Sequence, residues 1–343
     1  MTKTITMAHG SGGSATRELI QKVFMRSYAT MPLLEGNDSA VLPMPASVDA
    51  GRLAITTDSF VVTPQFFPGG DIGRLAVCGT VNDLACAGAS PHYLSAAFIL
   101  EEGYSQDDLI TICLSMARAS EEAGILIVTG DTKVVERGHG DGVYINTTGV
   151  GFLAPDVELS GAACRPGDAI LLSGTLGDHG IAIVSVREGL SFETDIRSDA
   201  APLYALCEAV LKAAPGTHAF RDPTRGGLAS TLSELAEQSR VAMLVEEQAV
   251  PVRDEVRGAC DLLGYDVFQV ANEGKMVAIV PAEQAEAALA AMRSAPYGAD
   301  AAIIGEVQAL ATSSEKPQAY LRTPLGSRRV MDVLSGEQLP RIC

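Results

Sequence analysis

The chain has 343 residues, 47% of them hydrophobic, and a formal net charge of −17 at pH 7. That length favours two domains of ordinary size with a tail. The acidity opposes binding to nucleic-acid phosphates or anionic lipid. No apolar run approaches the roughly 20 residues of a membrane span, and "MTKTITMAHGSGG" holds no continuous apolar segment of a secretory signal. The expectation is a cytoplasmic protein with neither a membrane nor a nucleic-acid partner. Seven cysteines (78, 86, 113, 164, 207, 260, 343) are scattered and never spaced as CxxC. Neither a disulfide framework nor a thiolate zinc site follows from them, and the five histidines show no ligand spacing.

In chain order, "SATRELIQKVF" (14–24) predicts an N-terminal helix behind a Ser, closing an opening segment over 1–36. "LAITTDSFVV" then reads as a strand, "DIGRLAVCGTVNDLACAGA" as a helix, "HYLSAAFIL" as a strand and "SQDDLITICLSMARASEEAG" as a helix. "ILIVTGDTKVV" and "GVYINTTGVGFL" add two strands, which completes a first α/β domain over 37–153. "RPGD" marks a turn, and "AILLS" opens a second series over 165–311. It carries helices near 177–189, 200–214, 226–240 and 282–294, with strands "VAMLVEE", "KMVAIVP" and "AAIIGEV". From 312 the polar "TSSEKPQ" predicts a linker into a mobile tail, 312–343, that ends on Cys343. Within 320–343 Arg322, Arg328, Arg329 and Arg341 outnumber Asp332 and Glu337, so an electropositive arm should be drawn back to an acidic body.

Residues able to do chemistry gather where apolar runs meet turns. Asp38 ("GNDSAV"), Asp58 ("TTDSF"), Asp83 ("VNDLA") and Asp131 ("TGDTK") each occupy a place that a turn or cap could use. Asp83, however, shares a helical face with Ile72, Ala76 and Gly79, the face expected to pack. Carboxylates converging on one pocket need cations, and hard oxygen donors suit Mg2+, which shares its coordination with nucleotide phosphates. No GxxxxGK[ST] loop is present, and the GxGxxA match at 10–15 follows too poor a strand for a dinucleotide fingerprint. Gly174, Gly177 and Gly180 form a strand-to-helix loop that could approach an anion or make a plain tight turn. "RDPTRGGLASTLSEL" sets Arg225, Gly226 and Gly227 ahead of a helix, either as a phosphate cradle or as a capped helix start. "VANEGKM" places Asn272, Glu273 and Lys275 before an apolar strand, as a site edge or as a turn.

Taken together, "HGSGG", "NDSAV", "TTDSFVV", "GDIGRLAVCGTVNDLA", "GDTKVV", "RDPTRGGLA", "VANEGKM" and above all the terminal "GEQLPRIC" resemble the HypE family of carbamoyl dehydratases, in the aminoimidazole ribonucleotide synthetase (PurM-like) superfamily. The resemblance covers nearly the whole chain. It implies an α/β (α+β) fold of two PurM-like domains, the first a mixed sheet with helices that forms a homodimer, the second an α/β sandwich, with a flexible tail. It implies ATP and Mg2+ as cofactors, with Asp38, Asp58, Asp83 and Asp131 as metal candidates. Asn82, Gly130, Thr132, Arg225 and Gly226 join them around the nucleotide. Cys343 becomes the residue that carries the substrate, Lys133 and Arg225 neutralise moving charge, and Glu273 is the candidate proton acceptor. The implied partners are a HypF-like carbamoyltransferase, which loads a carbamoyl group on the thiol, and a HypC–HypD-like scaffold, which receives the cyano group for the iron of [NiFe] hydrogenase. Selenophosphate synthetase fits less well, since the first cysteine here is Cys78, and thiamine monophosphate kinase leaves the tail unexplained. A non-catalytic scaffold with a docking tail is the alternative from another class.

Overall fold

The computed structural model describes residues 4–6, 9, 18–28, 51–190, 196–312, 316–331, 339 and 341–343. After a helical stretch, Ile20–Met25 running into Arg26–Tyr28 (α1), the first domain is a mixed sheet. Its strands are β1 (Arg52–Phe60), β4 (Ser90–Glu101), β5 (Leu126–Val135) and β6 (Val143–Leu153), in the order β1-β6-β4-β5. β6 runs antiparallel to both neighbours, and β4 pairs parallel with β5. A short ribbon, β2 (Phe66–Phe67) and β3 (Gly70–Asp71), leads into α2 (Ile72–Cys86).

α2 organises the molecule. Asp71 caps it, its carboxylate accepting from the N–H groups of Gly73 (2.7 Å) and Arg74 (3.0 Å). Twelve of its fifteen residues are buried, the pattern of a helix enclosed on every side rather than a surface helix with one apolar stripe. Gly79 permits this enclosure, because a Cβ there would stand 2.9 Å from the Phe60 ring. α3 (Gln106–Ala123) instead buries one face, Leu109, Ile112, Cys113, Met116 and Ala119; it starts on a Ser105 cap and stops at left-handed Gly124.

The second domain is a seven-stranded sheet with helices α4 (Asp178–Arg187), α5 (Tyr204–Ala213), α6 (Gly227–Ser239), α7 (Asp254–Leu263) and α8 (Ala285–Ser294). Its strands are β7 (Asp168–Leu172), β8 (Ala219–Arg221), β9 (Ala242–Glu246), β10 (Val277–Pro281), β11 (Ala302–Gln308), β12 (Gln318–Arg322) and β13 (Arg328–Val330), ordered β13-β12-β9-β11-β7-β10-β8.

Two features correct the sequence reading. α7 and β8 were not anticipated, and the stretch expected as linker and mobile tail, 312–343, contributes β12 and β13 to the sheet. β12 is only five residues long and pairs parallel with β9, from Gln318 against Ala242 to Arg322 against Glu246. A short strand whose partner lies far upstream leaves little local periodicity to read. Beyond Met331, the described residues Leu339 and Ile342 are also buried, at 8% and 3% exposure, in the core that both domains share.

Asn82 ties the two domains together. Its Nδ2 donates to the carbonyls of Ala201 (3.0 Å) and Glu273 (3.4 Å), and its Oδ1 accepts from Leu203 N–H (2.8 Å). Asn82→Ala removes the partner of the Ala201 carbonyl and of the Leu203 amide, so a loss of about 2–3 kcal/mol in urea unfolding is expected. A loss below about 0.5 kcal/mol would refute this structural role.

Candidate functional site

Between the domains lies a cavity of 310 Å3. β1 lines it with Asp58, α2 with Gly79 and Asp83, and the turn from β8 into α6 with Asp222, Thr224 and Arg225. Glu273 and Cys343 complete the wall. Asp58 accepts from its neighbour's Ser59 N–H (2.8 Å), and Asp83 accepts from Thr56 Oγ1 (2.8 Å). α6 begins at Gly226 with φ +75°, a left-handed turn that no side chain favours, and this turn holds Arg225 at the rim.

The pocket is charged against itself. Burial, then the charges of Asp222 and Asp58, push Asp83 up to about 6, against the Thr56 hydrogen bond. Burial also raises Asp58, opposed by the Ser59 amide and Arg225, and it raises Asp222. Glu273, 3% exposed, is driven well above the carboxylate range by burial and then by Asp222, Asp199 and Asp58, and its Oε1 has no hydrogen-bond partner. It shares a hydrogen bond with the Cys343 thiol, which burial and the Glu273 charge raise in turn. Burial thus favours the neutral form of both groups, the Cys343 thiol and the Glu273 carboxyl. Buried carboxylates that repel one another suit a cation. Among the described residues no three donors are gathered tightly enough to cage one. The donor set thus fits Mg2+ held by one or two carboxylates, with phosphate and water completing its shell.

The structure unites Asp58, Asp83, Arg225, Glu273 and Cys343 and separates others. Asp38 lies outside the described residues. Asp58, Thr147, Ala96 and Gly130 form one cross-strand row, which sets Asp131 three strand spacings, ~14 Å, from Asp58. Asp131 pairs with Ala97, one position on, so it projects to the opposite face of the sheet. It sits 3.8 Å from Lys133, both largely exposed. Gly130, Asp131 and Thr132 line a separate 120 Å3 apolar pocket against Phe24, Tyr28 and Phe98. One chain therefore does not bring Asp131 and Lys133 to Cys343. Asn82 and Gly226 are adjacent to the cavity but shape it without lining it. Gly177 starts α4 by donating to Asn272 Oδ1 (2.8 Å), which makes that loop a tight turn, and Lys275 is spent on Asp199 (2.8 Å).

Asp222 was missed, although it too stands where a short apolar strand meets a turn, directly before Pro223, the criterion that singled out the other aspartates. Cys86, by contrast, is a partly buried thiol that packs against the core, 3.6 Å from Asp222 Oδ1.

Residues 36–153 match the model of the AIR synthase related protein N-terminal domain, and 165–314 match that of the C-terminal domain. The chain is 55% identical to the carbamoyl dehydratase HypE of Azotobacter vinelandii over 340 residues, 99% of this chain and 97% of that protein. A crystal structure of the hydrogenase maturation protein HypE in complex with ATP superposes with a TM-score of 0.94 at 49% identity, covering 99% of this chain and all of that one. A HypE–HypF complex gives a TM-score of 0.79 at 45% identity over 92% of this chain and 99% of its counterpart.

Proposed function

The chain belongs to the HypE carbamoyl dehydratases of the AIR synthase related family, which act in hydrogenase maturation, and from that premise we propose that its substrate is its own Cys343. An S-carbamoyl group on that thiol is dehydrated to a thiocyanate, with ATP consumed. One observation carries the reading: the terminal thiol lies inside the acidic cavity between the domains, hydrogen-bonded to a buried carboxyl.

The residues supply the rest of the chemistry. When bound, Mg-ATP supplies the phosphoryl group that makes the thiocarbamate oxygen a leaving group. Asp58 and Asp83 would hold the metal, and Arg225 would steady phosphate at the rim. Conversion of S–C(=O)–NH2 to S–C≡N removes both N–H protons together with the oxygen. Glu273, adjacent to the sulfur, is the acceptor for one of them. Burial favours its neutral acid once that proton has arrived, which helps to retain the proton as phosphate departs.

Asp131 and Lys133 reach this chemistry only through a second subunit. They share the outward face of the first sheet with Leu53, Ile55, Ile99 and Leu126, exposed by 56, 64, 44 and 48%. That apolar surface supports a homodimer paired through its sheets. Ile55→Asp is expected to sediment as a monomer while urea stability changes by less than about 1 kcal/mol; an unaltered dimer would refute this interface.

The complex known for a relative supports a HypF-like transferase as the donor of the carbamoyl group, and a HypC–HypD-like scaffold would accept the product. No helix among the described residues is long and apolar enough to cross a membrane, consistent with a cytoplasmic site of action. The test is intact-mass analysis after incubation with carbamoyl donor, transferase and ATP: Cys343 gains a carbamoyl group and then loses one water. A scaffold with a docking tail would show neither change.

A further inference from the structure

The last three residues have every backbone carbonyl occupied. The Arg341 carbonyl accepts from Thr63 N–H (3.2 Å) and from Arg187 Nη2 (2.8 Å). The Ile342 carbonyl lies 2.8 Å from His179 Nε2, a contact that requires the Nε2–H tautomer, with Nδ1 2.8 Å from Ser198 Oγ. A Cys343 carboxylate oxygen accepts from Val61 N–H (3.2 Å). α4 supplies two of these grips, His179 in its first turn and Arg187 in its last.

Arg187 does more than hold the tail, because the same guanidinium donates to the Thr63 carbonyl from Nη2 (2.7 Å) and Nε (3.0 Å). It thus binds the tail to the strand end that leads out of Asp58. Opposing these contacts, Arg341 sits at φ +55°, a left-handed conformation that costs a non-glycine residue energy. The kink turns Ile342 into the core and Cys343 into the cavity. A seated tail balanced between strain and a few contacts is one that a single substitution can release.

We propose that Arg187 is the positioning residue that keeps Cys343 seated in the cavity, and that the Arg341–Asp141 ion pair is a weaker, salt-sensitive outer contact. The meaning of this clasp for catalysis rests on the dehydratase reading, but the seating itself does not. The ranking follows from geometry and from the number of bonds each contact makes. Both partners of the Arg341–Asp141 pair are nearly half exposed, at 48 and 41%, so solvent and salt screen it. Arg187 makes several charge-assisted bonds to fixed carbonyls, and its planar fork is what spans the two.

The experiment measures alkylation of Cys343 by N-ethylmaleimide in the ligand-free full chain, with peptide mass identifying the labelled thiol. Arg187→Ala is expected to speed labelling about tenfold, equivalent to about 1.4 kcal/mol. Arg187→Lys keeps the charge without the fork, so it should fall between the two and above wild type. Asp141→Asn should give about a threefold gain at low salt, shrinking towards none near 1 M, where the Debye length is about 3 Å. A wild-type labelling rate in Arg187→Ala overturns the proposal, and so does a larger effect from Asp141→Asn. Labelling that spreads to buried Cys78, Cys113 and Cys207 would mark general unfolding of Arg187→Ala. Arg187→Lys then decides, and a rate no higher than wild type refutes the clasp. No ATP or partner enters the assay, so its outcome is separate from that of the dehydratase reading.

Discussion

Cys343→Ala is expected to abolish every modified species in the complete reaction while fold and nucleotide binding persist. The substitution removes the one sulfur among the described residues that line the cavity and little else. The carboxylate contact to Val61 and the burial of Ile342 survive it, so the change in stability should stay within about 1 kcal/mol. Glu273 loses its thiol partner, but burial favours its neutral form, which tolerates that loss better than a carboxylate would. The other six cysteines cannot substitute for Cys343. Cys78, Cys113, Cys164, Cys207 and Cys260 are buried, and Cys86 points into the core beside Asp222 and Met276. A carbamoylated or cyanated product from Cys343→Ala, observed by intact mass, would end the assignment.

Asp83→Asn should lose the ATP-dependent step and yet stabilise the empty protein. The sign follows from linkage. Asp83 is raised from 3.8 to about 6 in the fold, so the protonated form is the favoured one. The penalty is absent below the unfolded value and develops as pH rises through about 6. A two-unit shift corresponds to about 3 kcal/mol. Part of this is screened at a group that faces the cavity, which leaves about 1–2 kcal/mol gained by the amide at about pH 8, shrinking towards pH 4. Urea unfolding at both pH values measures the gain, and ADP release in the presence of Mg2+ measures the loss. An Asp83→Asn protein no more stable than wild type at about pH 8 would show that carboxylate repulsion does not shape this pocket. Full ADP release by the same variant would remove Asp83 from the nucleotide site. Stability surrendered to keep charges together is the usual signature of a functional cluster.

Several elements were legible because their signals are local. Asp71, Ser105 and Gly124 mark the ends of α2 and α3 through capping that involves only neighbours in sequence. The alternation in "GVYINTTGVGFL" announces β6 without knowledge of its partners. β12 and β13 escaped because they are short and acquire their meaning only from β9, which β12 joins in parallel. The resemblance assigned Asn82 to the nucleotide through the "VNDLA" motif that it shares with Asp83. On a helix adjacent residues point about 100° apart, and Asn82 turns instead to the backbone of the second domain.

By itself the sequence determined the two-domain α/β organisation, the aspartate motifs and the thiol at the chain's end. Residue type and spacing decide what a group can do and which element carries it. Only the tertiary structure decided company: Asp58, Asp83, Asp222 and Glu273 meet around Cys343, while Asp131 and Lys133 stand on the far side of the same sheet. The physical reason is that side chains alternate between the faces of a strand and rotate around a helix. Whether two motifs share a pocket therefore depends on register and packing between segments distant in the chain.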